Sequence, residues 1–243
     1  MKLISVNIEN NLHDELVLSF LKKETPNVIC IQELLEEKFD FYQKQLGFPG
    51  IYQLLNYEML GNNAELIGKK QGVAIFAKNI INWSSHFFFG KEENLSKPFE
   101  EFAADKDLWN NAAVLWADVK DEGGAVYRFI TTHLPVTKEG ASTPLQLYVV
   151  DSLLATLENL GEFVLCGDMN APRGNESFSR LAKKYKDNIP PEYKTSIDQN
   201  LHRAKGIQFM VDGLFTTPAY KAKEVKLADG VSDHMAVVAN ISL

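Results

Sequence analysis

Apolar runs in this chain repeatedly end on a side chain that can hold a metal or move a proton. Asn7 closes Leu3-Ile4-Ser5-Val6, and Glu33 closes Val28-Ile29-Cys30-Ile31-Gln32. His133 follows Arg128-Phe129-Ile130-Thr131-Thr132, while Asp168 and Asn170 follow Phe163-Val164-Leu165-Cys166-Gly167. Asp212 follows Phe209-Met210-Val211, and Asp233 and His234 precede Met235-Ala236-Val237-Val238. Carboxylate and amide oxygens are hard donors that suit Mg²⁺ or Mn²⁺. Imidazoles supply protons or positive charge near neutral pH. Taken singly, each residue has an ordinary reading as a turn residue, a helix cap or a packed histidine. Taken together, side chains at strand ends converge on one rim of a sheet, and that rim is where ligands bind.

The elements that would carry these ends follow from periodicity. Residues 3–8 read as a strand. Residues 12–23 read as a helix with Leu12, Leu16, Phe20 and Leu21 on one face, stopped by Pro26-Asn27. Residues 28–32 form a short strand of the kind buried on both faces. A helix over 36–46 ends at Gly47, and strands follow at 51–57, 72–77 and 81–89. The mixed polar and aromatic stretch 91–110 reads as a long loop. Residues 112–119 and 125–132 flank Asp121-Glu122-Gly123-Gly124, a hairpin signal. A helix over 144–159 carries Leu145, Val149, Leu153 and Leu157 on one stripe. Then come a strand at 163–166, a helix over 175–186, and closing strands at 207–216 and 235–242. Neither a pure βαβ alternation nor a pure β sandwich uses this inventory, but two mixed sheets with helices outside do. No linker or repeat divides the chain, so a single domain over residues 1–243 is expected.

Composition narrows the function. The 243 residues are 45% hydrophobic and 23% charged, which is globular usage. No run reaches the roughly 18 apolar residues of a membrane span. With 25 Lys+Arg against 32 Asp+Glu, the net charge is −7, so an anionic substrate needs a local site or a metal. Cys30 and Cys166 lie in apolar runs and read as buried free thiols. The N-terminus lacks a secretory h-region, which points to a cytoplasmic protein. G-x-S-x-G, H-E-x-x-H, Walker A and G-x-G-x-x-G patterns are absent, which disfavours serine esterases, zincins, P-loop enzymes and dinucleotide oxidoreductases.

Asn7, Gln32-Glu33, Gly72-Val73-Ala74-Ile75, Thr132-His133, Gly167-Asp168-Met169-Asn170, Val211-Asp212 and Ser232-Asp233-His234 occur in a telling order. Over residues 7–234 the chain resembles the endonuclease/exonuclease/phosphatase superfamily of deoxyribonuclease-I-like enzymes. The G-D-M-N and S-D-H elements carry the specificity of the match. The resemblance implies a four-layer α/β (α+β) sandwich, two mixed β-sheets packed face to face with helices on the outside. It implies a Mg²⁺- or Mn²⁺-dependent hydrolase of phosphoester bonds. Within that resemblance Asn7, Glu33 and Asp233 are the expected metal residues. His133, Asp168, Asn170, Asp212 and His234 are the expected catalytic residues. Asp168 would orient or deprotonate the attacking water, and Asn170 would donate to a phosphoryl oxygen. His133 and His234 would contact phosphate or shuttle protons, with Asp212 paired to His234. Many members of the family carry an Arg near an Ala where Trp109-Asn110-Asn111-Ala112-Ala113 stands here, and this departure puts one phosphate contact that the resemblance implies in doubt.

The substrate class stays open at this stage. A phosphodiesterase or nuclease acting on nucleic acid or nucleotides is the first expectation. A phosphatase for a small phosphorylated metabolite or lipid headgroup is the second, with the aromatic region 83–109 as a specificity loop. A non-catalytic binding module is the third. Thr195 to Arg203 reads as a substrate contact or a solvated loop. The lysine groups Lys183-Lys184-Lys186 and Lys221-Lys223-Lys226 read as solvated faces or loops. A monomer with no membrane span is expected.

Overall fold

The computed structural model describes residues 1–59, 64–105 and 111–243. Two six-stranded mixed sheets face each other, with helices on both outer faces. The first sheet is built from β1 (Lys2–Asn7), β2 (Val28–Leu35), β3 (Gly50–Tyr57), β4 (Lys70–Ala77), β11 (Lys221–Ala228) and β12 (Ala236–Ser242), in the order β11-β12-β1-β2-β4-β3. The second holds β5 (Ile80–Phe89), β6 (Ala112–Lys120), β7 (Val126–His133), β8 (Val164–Asp168), β9 (Lys186–Asp187) and β10 (Asp212–Thr216), in the order β5-β6-β7-β8-β10-β9. Each sheet has one parallel pair near its middle, β1 with β2 and β7 with β8. The C-terminal ends of those pairs meet on one rim.

Three apolar layers hold the stack. Between the sheets lie Leu3, Val28, Val73, Leu115, Phe129 and Leu214, together with both cysteines, which are free and buried as expected. Outside the first sheet, Ile4, Ile29 and Phe76 pack under α1 (Asp14–Glu24) and α2 (Phe39–Leu46). Outside the second, Ile130, Leu165 and Phe215 pack under α4 (Pro144–Leu157) and α5 (Glu176–Lys184). Each fully buried side chain of this size contributes about 1.5–3 kcal/mol of transfer free energy.

Local chemistry sets the helix ends. Asp14 and Glu15 open α1, Lys22 and Lys23 close it, and these charges complement its macrodipole. Thr143 and Asn175 cap α4 and α5 by accepting the N–H of Gln146 and Phe178 at 3.2 and 2.9 Å. Gly47 ends α2 at φ 69°, a left-handed cap that glycine adopts without strain.

Several expectations change. Helix α1 buries Val17, Leu18 and Leu21, while Leu12 and Leu16 are exposed. In α4, Gln146 takes an inward place and Leu145 is exposed. The expected loop 91–110 contains a 3₁₀ turn at Glu92–Ser96 and the short helix α3 (Phe99–Ala104), whose Phe102 packs against Tyr57. Trp109 and Asn110 lie outside the described residues. Only Asp212 onward of the expected strand 207–216 is paired. The group Lys221-Lys223-Lys226 is neither a helix face nor a loop: it belongs to edge strand β11, where charge on an edge opposes pairing with other chains. Among the described residues no helix is long and apolar enough to cross a membrane.

Candidate active site

A bulge aims Glu33. Between the pairs Ile31↔Ala74 and Leu34↔Gly72, β2 fits Gln32 and Glu33 against Val73 alone. Glu33 takes φ 58°, a left-handed conformation that costs a residue with a Cβ about 1–2 kcal/mol. In return its Oε1 meets Asn7 Nδ2, which donates at 3.0 Å. The second break falls on the other side of β4, where a Cβ on Gly72 would lie 2.0 Å from the Gln53 carbonyl oxygen. That contact is the physical reason for glycine in Gly72-Val73-Ala74-Ile75.

Register aligns the second sheet's contribution. Asp168 on β8 sits opposite His133 on β7 and opposite Asp212 on β10. Gly167, at φ 144°, lets β8 approach β7: a Cβ there would be 2.0 Å from the Thr132 carbonyl oxygen. Asn170, at φ 45°, donates its backbone N–H to Asp168 Oδ1 at 2.8 Å. Its Nδ2 donates to the Leu134 carbonyl at 2.8 Å and lies 3.0 Å from His133 Nε2. Beneath it, the buried Gln146 donates to the carbonyls of Met169 and Asn170 at 3.3 and 3.4 Å.

Asp168 Oδ2 is the hub where the two sheets join. It accepts from Asn7 Nδ2 at 3.1 Å and lies 3.6 Å from His133 Nε2 and 3.8 Å from His234 Nε2. His234 Nδ1 is 2.8 Å from Asp212 Oδ2. Burial by itself would depress His234, but the carboxylates of Asp212 and Asp168 outweigh it and hold the ring well above the usual histidine range. Asp212 is raised by burial, against the attraction of His234. Burial pushes Glu33 up to about 7; His133 opposes that shift and Asp233 adds to it. The Glu33 side chain keeps 21% of its surface, so its carboxylate lines the open mouth of the pit. All eight residues expected from the sequence therefore gather on one rim.

The rim also holds residues the sequence reading missed. The ligand-capable atoms of Glu9, His13 and Asp233 lie within 4.8 Å of one another. Glu9 Oε2 is 3.1 Å from His13 Nε2, and burial and Asp233 raise the Glu9 carboxyl. The Asn7-Ile8-Glu9 alternation and the i,i+4 spacing to His13 were the available signal. Ser196 is fully buried, and its Oγ accepts the N–H groups of Val211 and Asp212 at 3.1 Å each. Ile197 forms an antiparallel bridge with His234, and Asp198 Oδ2 accepts from Gly230 N–H at 2.7 Å. Residues 195–198 thus brace the Asp212–His234 pair, which the solvated-loop reading did not foresee.

The donor set fits a hard dication. Burial, with the facing Asp233 carboxylate adding to it, raises both Glu9 and Glu33, a cost that a bound cation would offset. Asn7 already spends its Oδ1 on the Glu9 N–H at 3.1 Å and its Nδ2 on two carboxylates. It orients the acidic groups, and its Oδ1 keeps a second lone pair, so Asn7 stands with Glu33 and Asp233 among the oxygen donors of the rim.

Solved structures share this architecture. The human Nocturnin catalytic domain with bound sulfate anion aligns at TM-score 0.73 and 17% identity, covering 100% of this chain and 93% of that one. The mannosyl-6-phosphatase of Bacteroides thetaiotaomicron VPI-5482 aligns at TM-score 0.71 and 13% identity, covering 100% of both chains. D. rerio TDP2 complexed with single strand DNA product aligns at TM-score 0.69 and 15% identity, covering 100% and 99%. Identities this low establish the shared fold alone. No curated protein matched the sequence. The family model described as Endonuclease/Exonuclease/phosphatase family matches residues 4–234, and the chain belongs to that family.

Proposed function

We propose that this chain is a divalent-metal-dependent phosphodiesterase acting on nucleic acid or nucleotides, its domain spanning the whole sequence. The observation that carries the reading is the hub at Asp168 Oδ2, which collects Asn7, His133 and His234 around one carboxylate oxygen. Glu33, Asp233 and Asn7, with Glu9 beside them, would hold Mg²⁺ or Mn²⁺, which would supply charge neutralisation to the phosphoryl oxygens. Asp168 holds the attacking water and takes its proton as the water oxygen bonds to phosphorus and the P–O ester bond breaks. Its second oxygen is fixed by the Asn170 N–H, so the carboxylate cannot swing. The Asn170 amide N–H that faces His133 donates to a phosphoryl oxygen as charge builds there. His234, kept protonated by Asp212, stabilises the phosphoryl group, and an imidazolium returns a proton to the leaving oxygen.

The test is one substrate panel with Mg²⁺ or Mn²⁺, with and without EDTA. It contains supercoiled DNA, single-stranded DNA, RNA, bis-p-nitrophenyl phosphate and several phosphomonoesters. Diester cleavage that EDTA abolishes supports the proposal. Turnover of monoesters alone favours a small-molecule phosphatase, the reading that the net charge of −7 favours. Binding without any turnover overturns catalysis altogether.

A further inference from the structure

Arginine usage in this chain has one exception, and it stands beside the acidic rim. Arg128 is ion-paired to Asp118 at 2.7 Å, Arg173 to Asp187 at 2.9 Å, and Arg180 to both Asp151 and Glu176. Arg203, the remaining arginine of the sequence, is exposed and has no ion pair or side-chain hydrogen bond among the described residues. The turn that carries it is firmly held. Asp198 is buried, and its N–H donates to the Asp233 carbonyl at 2.8 Å. Asp198 Oδ1 accepts the N–H groups of Asn200 and Leu201 at 2.8 and 2.9 Å, and the Asp198 carbonyl accepts the His202 N–H at 3.0 Å. Gln199 Nε2 donates to the Ile207 carbonyl and Lys205 Nζ to the Asn200 carbonyl, each at 2.6 Å, which closes the base of the turn. The turn therefore leaves the fold at the rim residue Asp233. Its arginine is felt by the carboxylates there: burial and then Asp233 raise the Glu9 carboxyl, and the charges of His13 and Arg203 oppose them. Two groups of side chains share the rim, Asp168 with Asp212 and His234, and Glu9 with His13 and Asp233, joined through the chain neighbours Asp233 and His234. Arg203 stands at the second group, a step away from the Asp168 hub.

We propose that Arg203 holds a substrate phosphate next to the one being hydrolysed, which makes it a specificity-determining residue for chains of phosphodiesters. The inference rests on the phosphodiesterase reading and extends it to a second phosphate. A guanidinium presents paired N–H donors that match two phosphate oxygens, and it is charged at every working pH. The rim is acidic and the whole chain carries a net charge of −7, so a second phosphate needs a local cation. A structural role would need a partner of the kind that Arg128, Arg173 and Arg180 have, and among the described residues Arg203 has none. Phosphate contacts position a strand without reading its bases, so Arg203 should favour a substrate with several phosphates whatever its sequence.

The parent chain and Arg203→Ala are compared on bis-p-nitrophenyl phosphate, which has a single phosphate, and on a short oligothymidylate, which has several. The loss of kcat/KM should be roughly five- to tenfold greater on the oligothymidylate, and should come through KM rather than kcat. Binding is read separately, by fluorescence anisotropy of labelled oligothymidylate on the Asp168→Ala chain. Adding Arg203→Ala there should weaken binding by a similar factor. It should also lower the slope of log affinity on log salt by about 0.7, the share of one single-strand phosphate contact. Arg203→Lys should restore part of both, since it keeps the charge and loses the paired donors. Circular dichroism checks folding, and Arg203→Gln should act in the same direction as alanine. Equal losses on the two substrates would put Arg203 on the reacting phosphate and overturn the assignment. Affinity and salt slope unchanged in both the alanine and glutamine variants would overturn it too, as would an oligothymidylate that the Asp168→Ala chain fails to bind. A parent that hydrolyses neither diester overturns the phosphodiesterase reading instead, and the anisotropy comparison decides for Arg203 independently of that result.

Discussion

His234 Nδ1 and Asp212 Oδ2 are 2.8 Å apart, and the pair is braced by Ser196, which accepts the Asp212 N–H, and by Ile197, which bridges to His234. This contact sets which tautomer His234 keeps and how long it stays protonated. Burial opposes the charged ring, so the carboxylates are what raise it. Replacing Asp212 by Asn removes the largest of those attractions. The His234 value should fall, and the high-pH limb of the rate profile should move to lower pH. Turnover at neutral pH should drop by at least about 10²-fold. A pH–rate profile with NMR titration of the His234 ring checks both. A profile whose limb does not move would separate His234 from the step.

Ser196 acts on the same pair from behind. Its hydroxyl oxygen accepts two backbone N–H groups, one of them from Asp212 itself, in a fully buried setting. Ser196→Ala leaves both donors unsatisfied and should cost about 1–3 kcal/mol of stability. If Ser196 positions Asp212, kcat should fall about tenfold with KM nearly unchanged, and the high-pH limb should broaden or shift. Denaturant unfolding read beside the kinetics distinguishes the cases, because a purely structural role lowers stability without touching the pH profile.

The candidate rim was legible because strand ends are written in sequence as apolar runs followed by polar chemistry, and parallel pairs bring such ends together. Glu33, His133 and Asp168 were found that way. What escaped depended on tertiary packing. In α1 the 3.6-residue period permits more than one apolar stripe, and contact with the first sheet selects Val17-Leu18-Leu21 over Leu12 and Leu16. Strand β11 carries Lys at positions 221, 223 and 226, so it lacks the apolar alternation that announces a half-buried strand. Ser196 and Gln146 matter only through backbone groups distant in sequence, which no local pattern reveals. The left-handed turn of Glu33 follows from a bulge that its own residue type does not advertise.

The Glu33 carboxyl couples metal to pH. Burial holds it up to about 7 without a cation, so the folded state binds a proton more tightly than the unfolded chain does. The Glu33 contribution to metal-free stability is therefore fully present below the unfolded carboxyl value and is lost as pH rises through about 7. A divalent cation competes with that proton and relieves the decline. The increase in Tm on adding Mg²⁺ or Mn²⁺ should be larger at alkaline than at mildly acidic pH, and EDTA should reverse it. Glu33→Gln should flatten the pH dependence and abolish the metal effect. Scanning calorimetry across pH measures this, and equal metal shifts at both pH values would remove Glu33 from the cation site.

Gly167 is where fold and chemistry share one atom's worth of space. A methyl there would meet the Thr132 carbonyl oxygen at 2.0 Å, and its φ of 144° lies where side chains are strained. Neither neighbour can yield easily, since β7 and β8 are central strands of their sheet. Gly167→Ala should separate the two strands just before His133 and Asp168, which are register partners. The expected cost is about 3 kcal/mol or more from forced overpacking and backbone strain. Any protein that still folds should lose activity beyond what its stability accounts for, because a shift approaching 1 Å at the hub misplaces the Asp168 carboxylate. Urea unfolding at a temperature where the variant is folded, paired with turnover of bis-p-nitrophenyl phosphate, provides both numbers. A variant as stable and active as the parent would mean that the β7–β8 approach does not hold the site.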